Sequence, residues 1–205
     1  MKRFGTVAAL AAVAMFAGAG TVRAQLINIP MGVAPSGAGI NVVADYAQPN
    51  ADLGGGSAWG VAGGIGLGRV GLQAAFGSYD SDASSSVSTY AGLAGLRVFG
   101  GGLNPLAIGA EVGAGQMKYA GQTITQVPIG ATVSFNPPLF PIKPFGVVYY
   151  RTGDNLPSGW EETRFSVGAN FNFLLGLGVH GAYDWGNSGS TWGVGAHFNF
   201  HVPTM

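Results

Sequence analysis

Eight polar residues fall on one face of segments in which apolar and polar residues alternate, and these are the side chains that could do chemistry. They are Asp45, Gln73, Arg97, Glu111, Gln126, His180, Asp184 and His197. His180 and Asp184 offer a base and an acid, but a spacing of four positions is about 13 Å along an extended strand. A general acid and a general base must both reach the reacting group, so catalysis would need a partner from a neighbouring strand.

The absence of cysteine limits this chemistry further. With no cysteine in the chain, neither a disulfide framework nor a thiolate metal site can form. Together with the spacing of His180 and Asp184, this leads us to predict no enzymatic activity, no cofactor and no bound metal. The eight side chains are instead predicted to point into a closed interior, where acids and bases must pair or meet water because an isolated buried charge is expensive.

The elements that position these side chains repeat every two residues, which is the period of a β-strand. In residues 192–200, apolar side chains at even positions alternate with glycine, histidine and asparagine at odd positions. Residues 165–173 and 125–135 have the same design. Ten such segments of roughly 9–12 residues are close to the length that a tilted membrane strand needs. They predict an all-β fold, an antiparallel up-and-down transmembrane β-barrel of about ten strands, with eight as the alternative count.

Composition supports a membrane barrel over a soluble domain. Only 9% of the residues are charged and 47% are hydrophobic, whereas a soluble domain averages about 25% charged residues. No segment after the N-terminal one has 18 uninterrupted apolar residues. Only helices and closed barrels satisfy all backbone hydrogen bonds within lipid, so a membrane protein without spanning helices must be a barrel.

The chain divides into four predicted parts. Residues 1–24 have the basic start, short apolar run and small residues of a cleaved signal peptide. An unstructured N-terminal lead-in follows over residues 25–38, then the barrel over residues 39–201 and a tail over residues 202–205. Without the signal peptide, six basic residues (nine minus three) face nine acidic ones, which excludes a nucleic-acid binder by charge. We predict export to the outer membrane of the cell.

Aromatic residues are predicted to form a girdle at the outer ends of the strands. Amphipathic rings prefer the interface between lipid and water, and membrane barrels place them there. The girdle would comprise Tyr46, Trp59, Tyr79, Tyr90, Tyr119, Trp160, Trp185 and Trp192. The connections at the same end are rich in Gly, Ser, Asn and Asp, and Glu161 and Glu162 are interpreted as solvated loop charges.

The signal peptide, the glycine-rich alternating hairpins and the aromatic final strand resemble the small outer-membrane barrels of the OmpA-like and opacity-protein-like kind. The resemblance covers roughly residues 39–201 and is one of pattern, without a diagnostic motif. It implies outer-membrane lipids, lipopolysaccharide and the barrel assembly machinery as partners of a monomer. One departure is that the family ends on an aromatic residue, whereas here five residues follow Phe200.

Two roles follow from such a barrel. The polar interior would either form a structural network that supports the envelope, or line a narrow pore for small solutes with Glu111 and Arg97 in its gate. A secreted or periplasmic soluble barrel that binds a lipophilic ligand is the alternative, and it would require the apolar face to point inward. An adhesin is a weaker alternative, since the longest predicted outer loop is short. An outer-membrane enzyme is also weaker, because of the spacing of His180 and Asp184.

Overall fold

The computed structural model describes residues 26, 29–34, 36–82, 86–101, 104–119, 121–137 and 140–201, without the side chains of Tyr119, Leu174 and His201. The predicted signal peptide and the predicted tail lie outside the described residues. In the part of the chain that is described, no helix is both long and apolar enough to cross a membrane.

Ten antiparallel strands close into a barrel, in which each strand pairs with its neighbours in sequence and the first strand pairs with the last. This confirms the predicted up-and-down barrel and the count of ten rather than eight. The strands are β1 (Gly37–Pro49), β2 (Ser57–Gly68), β3 (Val70–Asp80), β4 (Val87–Gly101), β5 (Asn104–Tyr119), β6 (Gln122–Phe135), β7 (Ile142–Asp154), β8 (Glu162–Asn172), β9 (Leu177–Gly186) and β10 (Gly189–His201).

The even number of strands brings the start of β1 and the end of β10 to the same end of the barrel, where Gly39 is paired with His201. We call this the terminal end, and the opposite end the loop end. The β1–β2 connection at the loop end contains a short 3-10 helix, Ala51–Leu53, whose N-cap is Asn50. Asn50 Oδ1 also accepts a hydrogen bond from the backbone N–H of Ser190, which ties this connection to β10.

The alternation of side chains sends apolar residues outward around the whole barrel. On β1, Val42 is 53% exposed, whereas its neighbours Asn41 and Val43 are 3% and 1% exposed. The same contrast recurs on every strand, because successive side chains point to opposite faces of a sheet. Exposed apolar residues include Ile40, Val61, Leu72, Leu96, Val112, Ile129, Val148, Val167, Val179 and Val194, one from each strand.

A β-bulge interrupts this alternation in β4. The register of β4 against β5 shifts between Arg97 and Phe99, and both Val98 and Phe99 are exposed on the outer face. An extra residue in one strand re-aims the side chains beside it. The bulge therefore keeps two large apolar residues outside while Arg97 turns towards the interior.

The predicted lead-in is the main correction to the expected fold. It was expected to be unstructured, and its described residues before β1 have no regular secondary structure, but Leu26 and residues 29–34, apart from the half-buried Val33, lie buried inside the barrel. Met31 is 0% exposed, and Leu26, Ile29 and Ala34 are all buried. The strand also begins earlier than predicted, since residues 37 and 38 belong to β1. The segment is ordered because the barrel wall surrounds it. We call residues 29–34 the interior segment.

Candidate functional site

The barrel interior is the candidate site, because the wall directs most of the predicted polar residues into it. Gln73, Glu111, Gln126, His180, Asp184 and His197 are all buried. Asp45 also lies on the inner face, with its side chain 7% exposed. Arg97 is partly exposed near the terminal end, where its guanidinium donates to the Gly68 carbonyl and the Ser36 hydroxyl.

Five side chains near the loop end form an ionic cluster, namely Tyr149, Arg151, Glu162, Arg164 and Asp184. Arg164 contacts both acids, with its Nη2 2.6 Å from Asp184 Oδ1 and its Nη1 2.6 Å from Glu162 Oε1. Arg151 Nη2 lies 2.9 Å from Glu162 Oε1, and the Tyr149 hydroxyl donates to Asp184 Oδ2 over 2.9 Å. Two guanidinium groups thus balance two carboxylates within a buried site, which is the condition for burying charge at tolerable cost.

The ionic cluster extends to a loop-end turn and to an aromatic ring. The Ser188 hydroxyl hydrogen-bonds to Glu162, Arg151 and Arg164. Arg151 also donates to the Trp160 carbonyl, and its guanidinium carbon lies 4.6 Å from the centre of the Trp160 ring. These contacts join β7 and β8 to the β9–β10 turn across the mouth of the barrel.

Of this cluster, only Asp184 was predicted to point into the interior, and Glu162 was expected in a solvated loop. The structure corrects this, because Glu162 is the first residue of β8 and is 6% exposed. The signal was present in the alternation of the strand. With Phe165 pointing outward, Arg164 and Glu162 fall on the inner face by parity.

A second polar group links four strands near the terminal end. His180 Nε2 lies 2.7 Å from Asp45 Oδ1, and His180 Nδ1 lies 3.2 Å from His197 Nδ1. His197 Nε2 lies 2.8 Å from Asn172 Oδ1. The hydrogen bond between the two Nδ1 atoms requires one shared proton, because one ring must donate and the other must accept. His180 is therefore partnered across strands by Asp45 and His197 instead of by Asp184 on its own strand.

The interior segment binds the wall through a few polar contacts. The backbone N–H of Ala34 donates to the Glu111 carboxylate, so Glu111 holds the C-terminal end of the segment against β5. The Ser166 hydroxyl donates to the Met31 carbonyl over 2.7 Å. The Met31 side chain packs in an apolar cluster with Leu93, Phe145, Val147 and Tyr149.

Two small cavities lie beside the interior segment, among the residues that the structure describes. A cavity between Ile29, Leu53 and the ionic cluster has a volume of about 10 Å³. A second cavity, lined by Ala34, Arg97 and Glu111 among others, has a volume of about 30 Å³. A cavity must have a volume of at least roughly 10–15 Å³ to hold one buried water, so each of these two cavities holds at most one or two waters. Around these two cavities, the described residues of the interior segment pack directly against the side chains of the wall.

The aromatic residues divide between the two faces of the wall. Tyr46, Trp59, Tyr90, Trp185 and Trp192 are exposed on the outside, towards the loop end. Some of them pair across strands, as Tyr46 and Trp192 do with their ring centres 6.3 Å apart. The side chain of Tyr119 lies outside the described residues.

Tyr79 and Trp160 were predicted to belong to the girdle, and this is wrong. Tyr79 is 4% exposed inside the barrel, where its hydroxyl donates to the carbonyls of Leu53 and Gly55. Trp160 is 8% exposed and packs with Leu53 across the mouth. The odd-numbered side chains of β3, such as Gln73 and Tyr79, point inward. A buried tyrosine hydroxyl needs a hydrogen-bond partner, and these two carbonyls supply it.

Comparison with known proteins gives no family. No protein-family profile and no curated protein matches the chain. Among solved structures, a de novo designed transmembrane β-barrel matches with 13% identity and a TM-score of 0.42, covering 82% of this chain and 99% of that one. A porin matches with 15% identity and a TM-score of 0.35, covering 80% of this chain and 59% of that one. Neisserial surface protein A matches with 12% identity and a TM-score of 0.36, covering 82% and 98%.

Proposed function

We propose that this protein is an outer-membrane β-barrel of a bacterial envelope, with a structural role and a lumen that its own N-terminal segment keeps closed. The observation that carries the proposal is the apolar outer wall, to which all ten strands contribute exposed aliphatic or aromatic side chains. Soluble monomers rarely expose contiguous apolar patches larger than a few hundred Å². A wall of this kind is stable where lipid covers it.

The distribution of charge supports the same environment. Arg164 and Asp184 are buried in the interior, whereas aliphatic side chains such as Val42 and Val194 face outward. A soluble barrel for a lipophilic ligand needs the reverse arrangement, with apolar side chains lining the cavity and polar ones in water. The exposed aromatic residues lie towards one end of the wall, where an interface with lipid headgroups would hold them.

The proposal includes an orientation and partners. The terminal end would face the periplasm, the loop end would face outward, and lipids and lipopolysaccharide would surround a monomer. Assembly would depend on the barrel assembly machinery. We assign the interior ionic groups to stability and not to catalysis, since Asp184 and Glu162 are each held by arginine together with a hydroxyl group.

The four tryptophans give a test with an internal control. Trp59, Trp185 and Trp192 are exposed on the outer wall, whereas Trp160 is buried inside. Variants that keep a single tryptophan, with the other three replaced by phenylalanine, would be refolded into phosphatidylcholine vesicles with brominated acyl chains. We expect strong quenching of the fluorescence of Trp59, Trp185 and Trp192, and weak quenching of Trp160.

Gel mobility completes the test. A closed membrane barrel is expected to keep its fold in cold SDS and to change mobility on boiling. Weak quenching of all four tryptophans, together with a protein that stays soluble without detergent and shows no heat-dependent shift, would overturn the membrane proposal. Isolation from the bacterial outer membrane tests the localisation.

A further inference from the structure

The interior segment is joined to the wall by few described polar contacts. It takes no part in the described ladder, in which each strand pairs with its two neighbours and β1 pairs with β10. Its described polar links to the wall are the hydrogen bonds from Ser166 to the Met31 carbonyl and from the Ala34 N–H to Glu111. The backbone pairing that closes the barrel therefore does not include the segment.

Four glycines of the wall make room for the lead-in. A Cβ atom at Gly60 or Gly77 would collide with the side chain of Leu26, and one at Gly95 would collide with Ala34. A Cβ at Gly193 would lie 3.0 Å from Pro30 Cδ. Glycine removes side-chain volume from the inner face at these positions, so withdrawal of the lead-in would leave an open space along the lumen.

The wall around that space is compatible with water. Buried polar residues line it on several strands, including Asn41, Gln73, Glu111 and Gln126. Among the described residues, the inward charges balance in number, with four of each sign. They are Asp45, Glu111, Glu162 and Asp184 against Arg97, Lys143, Arg151 and Arg164. An emptied lumen would thus present hydrogen-bonding groups without a large net charge of its own.

The charge at the loop end would determine which ions enter an emptied lumen. Five exposed carboxylates lie there against one exposed lysine, a net charge of −4 (one minus five): Asp52, Asp80, Asp82, Asp154, Glu161 and Lys118. A mouth lined by one sign of charge raises the local concentration of the opposite ion, most strongly at low ionic strength.

We propose that the barrel is a gated pore for small cations, in which residues 29–34 are the gate. The proposal rests on the membrane placement proposed above and adds a transport activity to it. In the closed state Met31 fills the lumen against Leu93 and Phe145. In the open state the segment leaves the lumen, and cations enter from the acidic loop end.

The first experiment is conductance of the full-length mature chain in planar lipid bilayers, with Met31→Asp and Met31→Leu as a matched pair. Aspartate cannot stay in the apolar cluster around Met31 without a large desolvation cost, so it should expel the segment. Leucine has a similar volume and should remain. We expect Met31→Asp to conduct with cation preference at low salt, and Met31→Leu and the wild type to be closed for most of the time.

A second pair of variants changes residues of the barrel wall and leaves the interior segment unchanged. Gly95→Val fills the space that Ala34 occupies, whereas a Cβ at Gly63 meets no atom within 4 Å, so Gly63→Val is its control. Because the chain has no cysteine, Met31→Cys adds a single thiol that reports on opening. In the closed state this thiol should react with a membrane-impermeant reagent about 100-fold more slowly than an exposed Ser86→Cys, and Gly95→Val should remove most of that difference.

The outcomes separate the two proposals. Barrels that shift on heating and insert into bilayers, but do not conduct as Met31→Asp or Gly95→Val, would overturn the gate and leave the membrane placement intact. Steady conductance of the wild type with an unreactive Met31→Cys thiol would also overturn it, since ions would then pass beside a fixed segment. Anion preference would overturn the assignment of the ion. If Met31→Asp does not fold, the conductance of Gly95→Val and the reaction rates of the Met31→Cys thiol test the gate.

Discussion

Replacement of Arg164 by methionine tests the ionic cluster, because Arg164 is the cation that the two carboxylates of the cluster share. Its side chain is 2% exposed, and two of its nitrogens lie 2.6 Å from Asp184 Oδ1 and Glu162 Oε1. Methionine has a similar reach, so the substitution removes charge with little change in volume. Loss of one partner of a buried ion pair costs about 3–5 kcal/mol, since the other charge stays buried without compensation.

The lower part of that range applies here, because Arg151 remains 2.9 Å from Glu162 and only Asp184 loses its cation. We expect the free energy of unfolding of Arg164→Met to fall by about 3 kcal/mol. This is a factor of roughly 100 in the equilibrium constant. The assay is unfolding by urea in phosphatidylcholine vesicles, followed by tryptophan fluorescence and by the fraction of heat-modifiable protein.

Two variants control this measurement. Arg69→Met changes an exposed arginine in the β2–β3 turn and should alter stability by less than about 0.5 kcal/mol. Arg164→Met combined with Asp184→Leu removes both charges and should recover at least about 1 kcal/mol relative to Arg164→Met, as a double-mutant cycle would report. A loss below about 1 kcal/mol for Arg164→Met, which is the value of a solvated pair, would refute the argument that the cluster is buried and coupled.

Two further predictions follow from burial. Tyr79→Phe removes the hydroxyl that donates to two carbonyls at the mouth, and it should lower the free energy of unfolding by about 0.5–1.5 kcal/mol in the same urea titration. The control is Tyr90→Phe, which should leave the free energy of unfolding almost unchanged because Tyr90 is exposed. Val42→Arg places a charge on the outer wall near the middle of β1 and should cost about 2–4 kcal/mol in vesicles. Ser86→Arg, in an exposed connection, is its control, and equal stabilities of the two variants would mean that Val42 does not face lipid.

Strict alternation made the wall predictable from sequence. In β10, the apolar side chains of Trp192, Val194 and Phe198 lie outside while His197 is buried, as the period of two requires. The same rule placed Gln126 and His180 correctly inside. The rule was not applied to the ends of strands, and Tyr79 and Glu162 were misplaced there, although the alternation of their own strands puts both side chains inside. Trp160 was also misplaced, and it lies outside the strands, where the rule does not apply.

The partners of the interior side chains could not be predicted in this way. Asp45 and His180 are separated by 135 positions in the chain and meet because β1 closes against β10, with β9 beside it. Register and closure determine such contacts, and neither is contained in the local pattern. Ser166 and the Met31 carbonyl are separated by a similar distance in sequence and meet only inside the closed barrel.

The sequence by itself determined which face of each strand is apolar, because side chains alternate across a strand whatever the strand pairs with. It thereby determined an all-β chain with an apolar face and a polar face. Tertiary structure alone decided that residues 29–34 lie in the lumen, since they have no periodic pattern and are surrounded by a wall built from distant strands. It also decided which charges meet, because two buried ions attract strongly only when closure brings them within a few ångströms.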